Sequence, residues 1–202
     1  MSRMIRHTSF AVLCATALLG ACAKGDATAD SARMADSAMA AMPPAAGAPA
    51  VMPAAMTDAN IMAALDAANV HDSTAGSMAA MKGTNAEVKS YGRDMMRDHH
   101  ALRIAGQDLG KKLSVTPEPM AGDNTMAMDM AVADSMTATP AGAAWDKFYI
   151  EHAIMHHEKV LAMAQTAIGA TQNAEVKALL EKAAPNVQAH LERASSIRTK
   201  LQ

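Results

Sequence analysis

Aromatic side chains are almost absent from this chain, at 2% of its 202 residues. The sequence also lacks the alternation of β-branched and polar residues that a half-buried β-strand shows. Alanine and methionine take the place of the missing residue types, with 19 methionines in all. Both residues favour helix and neither favours strand. The composition therefore predicts an all-α fold.

Cysteine and clustered positive charge are scarce as well. Cys14 lies in a segment that we expect to be removed, and Cys22 stands where we expect acylation. No thiol pair then remains for a disulfide or a thiolate metal site. The net charge of −2 argues against nucleic acid as a partner, because phosphate binding needs clustered cations. The sequence shows no phosphate-binding loop and no nucleophile–base pair, so we expect no organic cofactor and no enzymatic activity.

Residues 1–21 have the features of a secretory signal peptide. A cationic start is followed by an apolar run, Phe10–Leu19, that is too short to cross a bilayer. The run leads into Gly20-Ala21-Cys22, which resembles a bacterial lipoprotein signal, where the cysteine becomes the first mature residue and carries acyl chains. We therefore expect a membrane anchor at Cys22, in the cell envelope, at the outer membrane facing the periplasm. An ordinary signal peptide with a chance cysteine is the alternative.

The rest of the chain divides into a tether and a helical domain. Residues 22–56 combine several prolines with alanine, glycine, serine and methionine, a composition typical of a flexible tether. Further on, Asn85-Ala86-Glu87-Val88-Lys89 recurs as residues 173–177, and each asparagine is a good helix N-cap. These starts predict two helical hairpins, 58–82 with 85–113 and 143–169 with 173–201.

A long methionine-rich segment, residues 114–142, joins the two predicted hairpins. It is too long for a tight connection and has room for a short helix near residues 123–138. Two hairpins joined by one long crossover form the ferritin-like arrangement of a four-helix bundle. The predicted fold is therefore an all-α, ferritin-like four-helix bundle over residues 57–202, behind a signal peptide and a disordered tether.

Each of the four long predicted helices places one metal-capable side chain near the middle of its apolar face: Asp72, His99, His157 and His190. Burial of three imidazoles and a carboxylate without partners costs on the order of several kcal/mol. Two interpretations remain open. The side chains either form a hydrogen-bonded cluster that fixes helix register, or they bind a transition metal. Neutral imidazole and carboxylate suit zinc, copper, iron or nickel.

Two further groups are candidates for an auxiliary metal site. His152 and His156 lie four residues apart on one predicted helix, a spacing that can chelate an ion. We nevertheless favour a half-exposed polar edge for this pair. Met126, Met128 and Met130 lie in the crossover, where soft thioethers suit Cu(I). Packing and the scavenging of oxidants are the alternatives for these methionines.

Three stretches of the helical domain resemble the signatures of the domain-of-unknown-function 4142 family. They are the segment 85–92 followed by Met95-Met96-Arg97-Asp98-His99, Tyr149 followed by His157-Glu158-Lys159, and Pro185 followed by His190-Leu191. The resemblance spans residues 57–201. It implies a ferritin-like bundle, often exported and described as a predicted outer membrane protein, with no established reaction. It also implies roles for His99, His157 and His190, whereas Asp72 stands where similar proteins usually have Glu.

The sequence therefore predicts a lipid-anchored periplasmic helical bundle that binds a transition metal, copper first and zinc second, for sequestration or tolerance. In this hypothesis the four apolar-face side chains form the inner site and the crossover methionines form a soft auxiliary site. The alternative is a structural or partner-binding envelope module whose buried histidines only order the core. The sequence identifies no protein partner.

Overall fold

The computed structural model describes residues 56–201 and confirms the all-α prediction, since this part of the chain contains helices and no strand. The predicted signal peptide, Cys22 and nearly all of the predicted tether lie outside the described residues. Five helices follow one another along the chain: α1 (Asp58–Lys82), α2 (Ala86–Leu113), α3 (Thr125–Ala138), α4 (Ala143–Ala170) and α5 (Ala174–Lys200). Their bounds agree with the predicted helices to within about two residues at each end.

Side-chain caps explain where the helices begin. The Asn85 side chain accepts hydrogen bonds from the backbone N–H groups of the first turn of α2, and Asn173 does the same for α5. Both predicted N-caps are thus confirmed. Thr57 caps α1 through a reciprocal capping box with Asn60. Helix α4 ends at Ala170, one residue beyond its predicted end, and Thr171 is its C-cap.

The long helices pack in pairs, α1 against α2 and α4 against α5. The two pairs also pack against each other, through contacts of α2 with α5 and of α1 with α4. The short helix α3 lies within the crossover and packs against α1 and α4. The expected helix near residues 123–138 is therefore confirmed, and it covers one side of α4.

A buried carboxylate joins the two pairs at one end. Asp146, in the first turn of α4, is 1% exposed. It accepts hydrogen bonds from the backbone N–H groups of Thr84 and Asn85 at 2.9 and 2.7 Å, and from the Thr84 hydroxyl. Because these donors lie in the link between α1 and α2, Asp146 fixes the start of α4 against that link.

The apolar core is divided into two main clusters that lie toward opposite ends of the long helices. One contains the buried aromatic residues Tyr91, Trp145 and Tyr149, and the other is formed around Ile61 and Leu180. Only a small group, Ala68, Val160 and Val187, lies in between. The middle of the bundle is therefore left to polar side chains.

Helices α1 and α2 approach each other closely at Gly76 and Gly92. A Cβ atom built on Gly92 would lie 2.6 Å from the Gly76 carbonyl oxygen and 2.7 Å from the Ala79 Cβ. Real Cβ atoms essentially never come so near other atoms, so a side chain at either glycine would force the two helices apart. This contact sets the distance between the C-terminal third of α1 and the second turn of α2.

The substitution Gly92→Ala should therefore destabilise the protein by about 1 to 3 kcal/mol, the usual range for overpacking. Gly106→Ala on the same helix is the matched control, because a Cβ atom there meets nothing within 4 Å. That control should stabilise the protein by up to about 1 kcal/mol through helix propensity. Urea unfolding of the two variants measures the difference, and equal effects would contradict the close approach.

Candidate metal centre

Six of the eight histidines in the chain are buried in the middle layer between the two apolar clusters: His71, His99, His152, His156, His157 and His190. Of the other two, His100 is exposed and His7 lies outside the described residues. The buried rings form two groups of three in which the potential ligand atoms lie within 4.8 Å of one another. We call them the inner triad (His99, His157, His190) and the outer triad (His71, His152, His156).

The inner triad brings together residues from α2, α4 and α5. Its ring centroids are 5.2 to 5.6 Å apart. The three histidines predicted on apolar faces therefore do meet in one layer. Their exposed fractions are 3% for His99, 0% for His157 and 9% for His190, so bulk water has little access to them.

Each ring of the inner triad has one nitrogen held by a neighbour and one left free. The held nitrogens lie 2.8 to 3.1 Å from their partners: His99 Nδ1 from Asn69 Oδ1, His157 Nδ1 from the Ala153 carbonyl oxygen, and His190 Nε2 from Asp98 Oδ2. The free nitrogens are buried and have no hydrogen-bond partner within residues 56–201: His99 Nε2, His157 Nε2 and His190 Nδ1. Metal-binding histidines show this pattern, because the partner of the second nitrogen orients the ring.

The outer triad joins α1 to α4. His71 Nε2 lies 2.7 Å from His152 Nε2, and His71 Nδ1 lies 3.5 Å from Asp129 Oδ1 on α3. His156 Nε2 is buried without a hydrogen-bond partner in the described part of the chain. The interpretation of His152 and His156 as a half-exposed edge is wrong, because they are only 8% and 6% exposed. Packing of α1 and α3 against α4 covers this edge.

Asp72 lies between the two triads and is 5% exposed. Its Oδ2 atom is 3.5 Å from His99 Nδ1 and 3.6 Å from His156 Nε2, and its Oδ1 atom is 3.9 Å from His157 Nδ1. Asp72 thus approaches His99 and His157 at their Nδ1 edges and not at their free Nε2 atoms. Toward the outer triad, in contrast, it faces the free nitrogen of His156.

The three crossover methionines predicted as a soft auxiliary site are exposed. Met126, Met128 and Met130 are 68%, 52% and 63% exposed. Met126 and Met130 line a pocket of about 530 Å³ between α1 and α3, and His71 and Asp129 line the same pocket. The pocket therefore connects the methionine-rich surface with one ring of the outer triad.

Burial keeps the histidines neutral. It lowers the pKa of His99 to about 3 and that of His157 to about 4, with smaller contributions from neighbouring imidazoles. Burial also lowers the pKa of His71 to about 4, with Lys159 adding to the effect, and the pKa of His152 to about 4, with His71 adding to the effect. Burial and the nearby Asp129 carboxylate raise the pKa of Asp72 well above its usual range. At neutral pH the imidazole lone pairs are therefore available to a metal ion without loss of a proton.

The sequence model of a family described as "Domain of unknown function (DUF4142)" matches residues 40–197. The chain belongs to this family. The resemblance seen in the sequence is thus confirmed. No curated protein matches the chain.

A comparison of structures finds a protein entitled "CopM in the Cu(II)-bound form". It is 19% identical, with a TM-score of 0.60, and the match covers 72% of this chain and 98% of that chain. At this identity the likeness concerns the fold. Between residues 56 and 201 no helix has the length and apolar character needed to cross a membrane.

The sequence analysis missed His71 and the partners of the inner triad. His71 directly precedes Asp72 and lies three residues after Ala68 and four before Ala75, so its position beside apolar residues was a usable signal. Asn69 lies three residues before Asp72 on the same face of α1. No comparable signal exists for Asp98, whose partner His190 lies on another helix.

Lowering the pH from about 6.5 to about 4 should destabilise the metal-free protein. Unfolded imidazoles take up protons near a pKa of about 6.5, whereas the folded protein binds them only at lower pH. Each such histidine lowers the free energy of unfolding by up to about 1.4 kcal/mol per pH unit. Asp72 acts in the opposite direction through its raised pKa, but it is one group against six buried histidines.

Urea unfolding at about pH 7, about pH 6 and about pH 5 measures this dependence. A midpoint that stays constant over this range would contradict the neutral, buried state of the two triads.

Proposed function

We propose that this protein binds a transition-metal ion at the inner triad and holds it in the cell envelope, for sequestration or tolerance. The supporting observation is the convergence of three buried imidazole nitrogens without hydrogen-bond partners in residues 56–201. Each free buried nitrogen carries a desolvation cost on the order of 1 to 3 kcal/mol. A metal ion offsets this cost at all three atoms together.

The donor set favours copper first and zinc second. Three neutral imidazoles suit both ions and leave a further coordination position for a small ligand. Copper is placed first because soft methionine side chains line the nearby pocket and because the structural relative CopM is described in a Cu(II)-bound form. Asp72 lies 3.5 Å from His99 Nδ1 and 3.9 Å from His157 Nδ1, where it supplies a nearby negative charge when ionised.

The cellular setting in this proposal comes from the sequence. A signal peptide that ends before Cys22, followed by acylation of that cysteine, would anchor the bundle by a flexible tether. We propose the outer membrane facing the periplasm as the site of the anchor. The pairing of the four long helices across one long crossover supports a ferritin-like four-helix bundle as the metal-binding domain.

A structural or partner-binding module is the second candidate function. It is favoured by the bonds His99–Asn69 and His190–Asp98, which join different helices and would fix their register without any metal. The two candidates differ in what a metal ion does to the protein. Only a metal site predicts tight uptake that depends on the buried imidazoles.

His99→Ala and His100→Ala form a matched pair that distinguishes the two functions. Each removes one imidazole from adjacent positions of α2, and His99 is buried whereas His100 is exposed. After dialysis against Cu(II) or Zn(II), the wild type and His100→Ala should retain the same tightly bound metal. His99→Ala should lose one equivalent. Equilibrium dialysis with elemental analysis measures the stoichiometry, with a Cu(I) titration run in parallel.

Thermal unfolding with and without metal provides a second readout. An ion at about 1,000 times its dissociation constant stabilises a protein by about 4 kcal/mol, and this gain should fall in His99→Ala. If the wild type takes up none of the ions with better than micromolar affinity, the metal-binding function is wrong. Equal metal-dependent stabilisation of His99→Ala and His100→Ala would likewise favour the structural module.

A further inference from the structure

We propose that the outer triad is a second metal site and that Asp72 completes it as the fourth ligand. The inference deepens the proposed function, since it gives the same protein a second ion of the same chemical class. The proposed ligand atoms differ from those of the inner triad: they are the Nε2 atoms of His71, His152 and His156, and Oδ2 of Asp72.

The strongest sign of this site is a pair of facing polar atoms. His156 Nε2 and Asp72 Oδ2 are both buried and have no hydrogen-bond partner in the part of the chain that the structure describes. They lie 3.6 Å apart. Two ligands about 2.0 to 2.2 Å from one tetrahedral ion are separated by roughly 3.4 Å. The spacing of these two atoms is therefore close to that of ligands sharing an ion.

The ligand atoms of His71 and His152 lie within 4.8 Å of that of His156, so one ion can draw the three imidazoles together. His71 Nε2 and His152 Nε2 lie 2.7 Å apart, which in neutral rings corresponds to one nitrogen donating its proton to the other. An ion in place of that proton separates the nitrogens by roughly a further 0.7 Å, given the same tetrahedral spacing. His152 and His156 are one helical turn apart on α4, so the helix already aligns two of the three imidazoles.

Residues around the outer triad support a cation there. Asp129 Oδ1 lies 3.5 Å from the Nδ1 atom of His71, on the opposite edge of the ring from the ligand nitrogen. A carboxylate in this position orients a metal-binding imidazole and makes it more basic. The Asp72 carboxylate gives the outer site a ligand that can carry a negative charge, whereas the three ligand atoms of the inner triad are neutral imidazole nitrogens. Three neutral imidazoles and one carboxylate form a donor set suited to a divalent ion.

The outer site also has a route to solvent. His71 and Asp129 line the pocket between α1 and α3, whose walls include Met126 and Met130. An incoming ion therefore meets thioether and carboxylate side chains before it reaches the imidazoles. This route explains why the crossover carries exposed methionines next to the bundle.

Metal stoichiometry in four variants of the full chain tests the proposal, with Cu(II) and Zn(II) each used alone as the probe. The wild type should hold two tightly bound ions per chain, while His71→Ala and His99→Ala should each hold one. The double variant His71→Ala/His99→Ala should hold none. Asp72→Asn in the His99→Ala background isolates the outer site and should weaken its affinity at least tenfold.

His100→Ala is the control for the loss of an imidazole outside both triads, and circular dichroism confirms that each variant is folded. One ion in the wild type that His71→Ala retains would overturn the second site. An unchanged outer affinity in Asp72→Asn would overturn the role of Asp72. If instead His71→Ala binds nothing while His99→Ala keeps one ion, the outer site stands and the proposed inner site fails. The two proposals therefore fail separately.

Discussion

The structure depends on one constraint, the burial of six imidazoles and the Asp72 carboxylate in the layer between two apolar clusters. Polar groups taken out of water must find partners, or folding loses free energy at each of them. Here neighbouring side chains and carbonyl groups satisfy one nitrogen of each inner ring and leave the other free. Burial of the apolar clusters on either side contributes favourable free energy, which offsets the cost of the unpaired nitrogens in the middle layer.

Helix geometry determines how one layer contains two triads. His156 and His157 are adjacent on α4, and adjacent side chains diverge by about 100° around a helix. One ring therefore faces α1 and α3, and the other faces α2 and α5. The close approach of α1 to α2 at Gly76 and Gly92 brings Asn69 and Asp72 within reach of His99. The positions of the site residues therefore depend on the close packing of the two helix backbones.

The helices could be predicted from the sequence because their signals are local. Asn85 and Asn173 cap the first turns of their own helices, and glycine or proline lies in the segments that precede α2, α3 and α4. The inner histidines could be predicted because clear apolar stripes surround them on α2, α4 and α5. His71 was missed because alanine is spread around α1 and hides how much of that helix is buried. The burial of His152 and His156 was underestimated because His71 of α1, distant in sequence, packs against both rings.

The sequence by itself determined the all-α class, the bounds of the helices and the three histidines of the inner triad, because caps and helical periodicity act within a few residues. Only the tertiary structure decided which nitrogen of each ring is free, which edge of the rings Asp72 meets and that a second triad exists. Those features depend on how far each helix is rotated and shifted against its neighbours. Contacts between side chains far apart in the sequence set that rotation, and no local pattern encodes it.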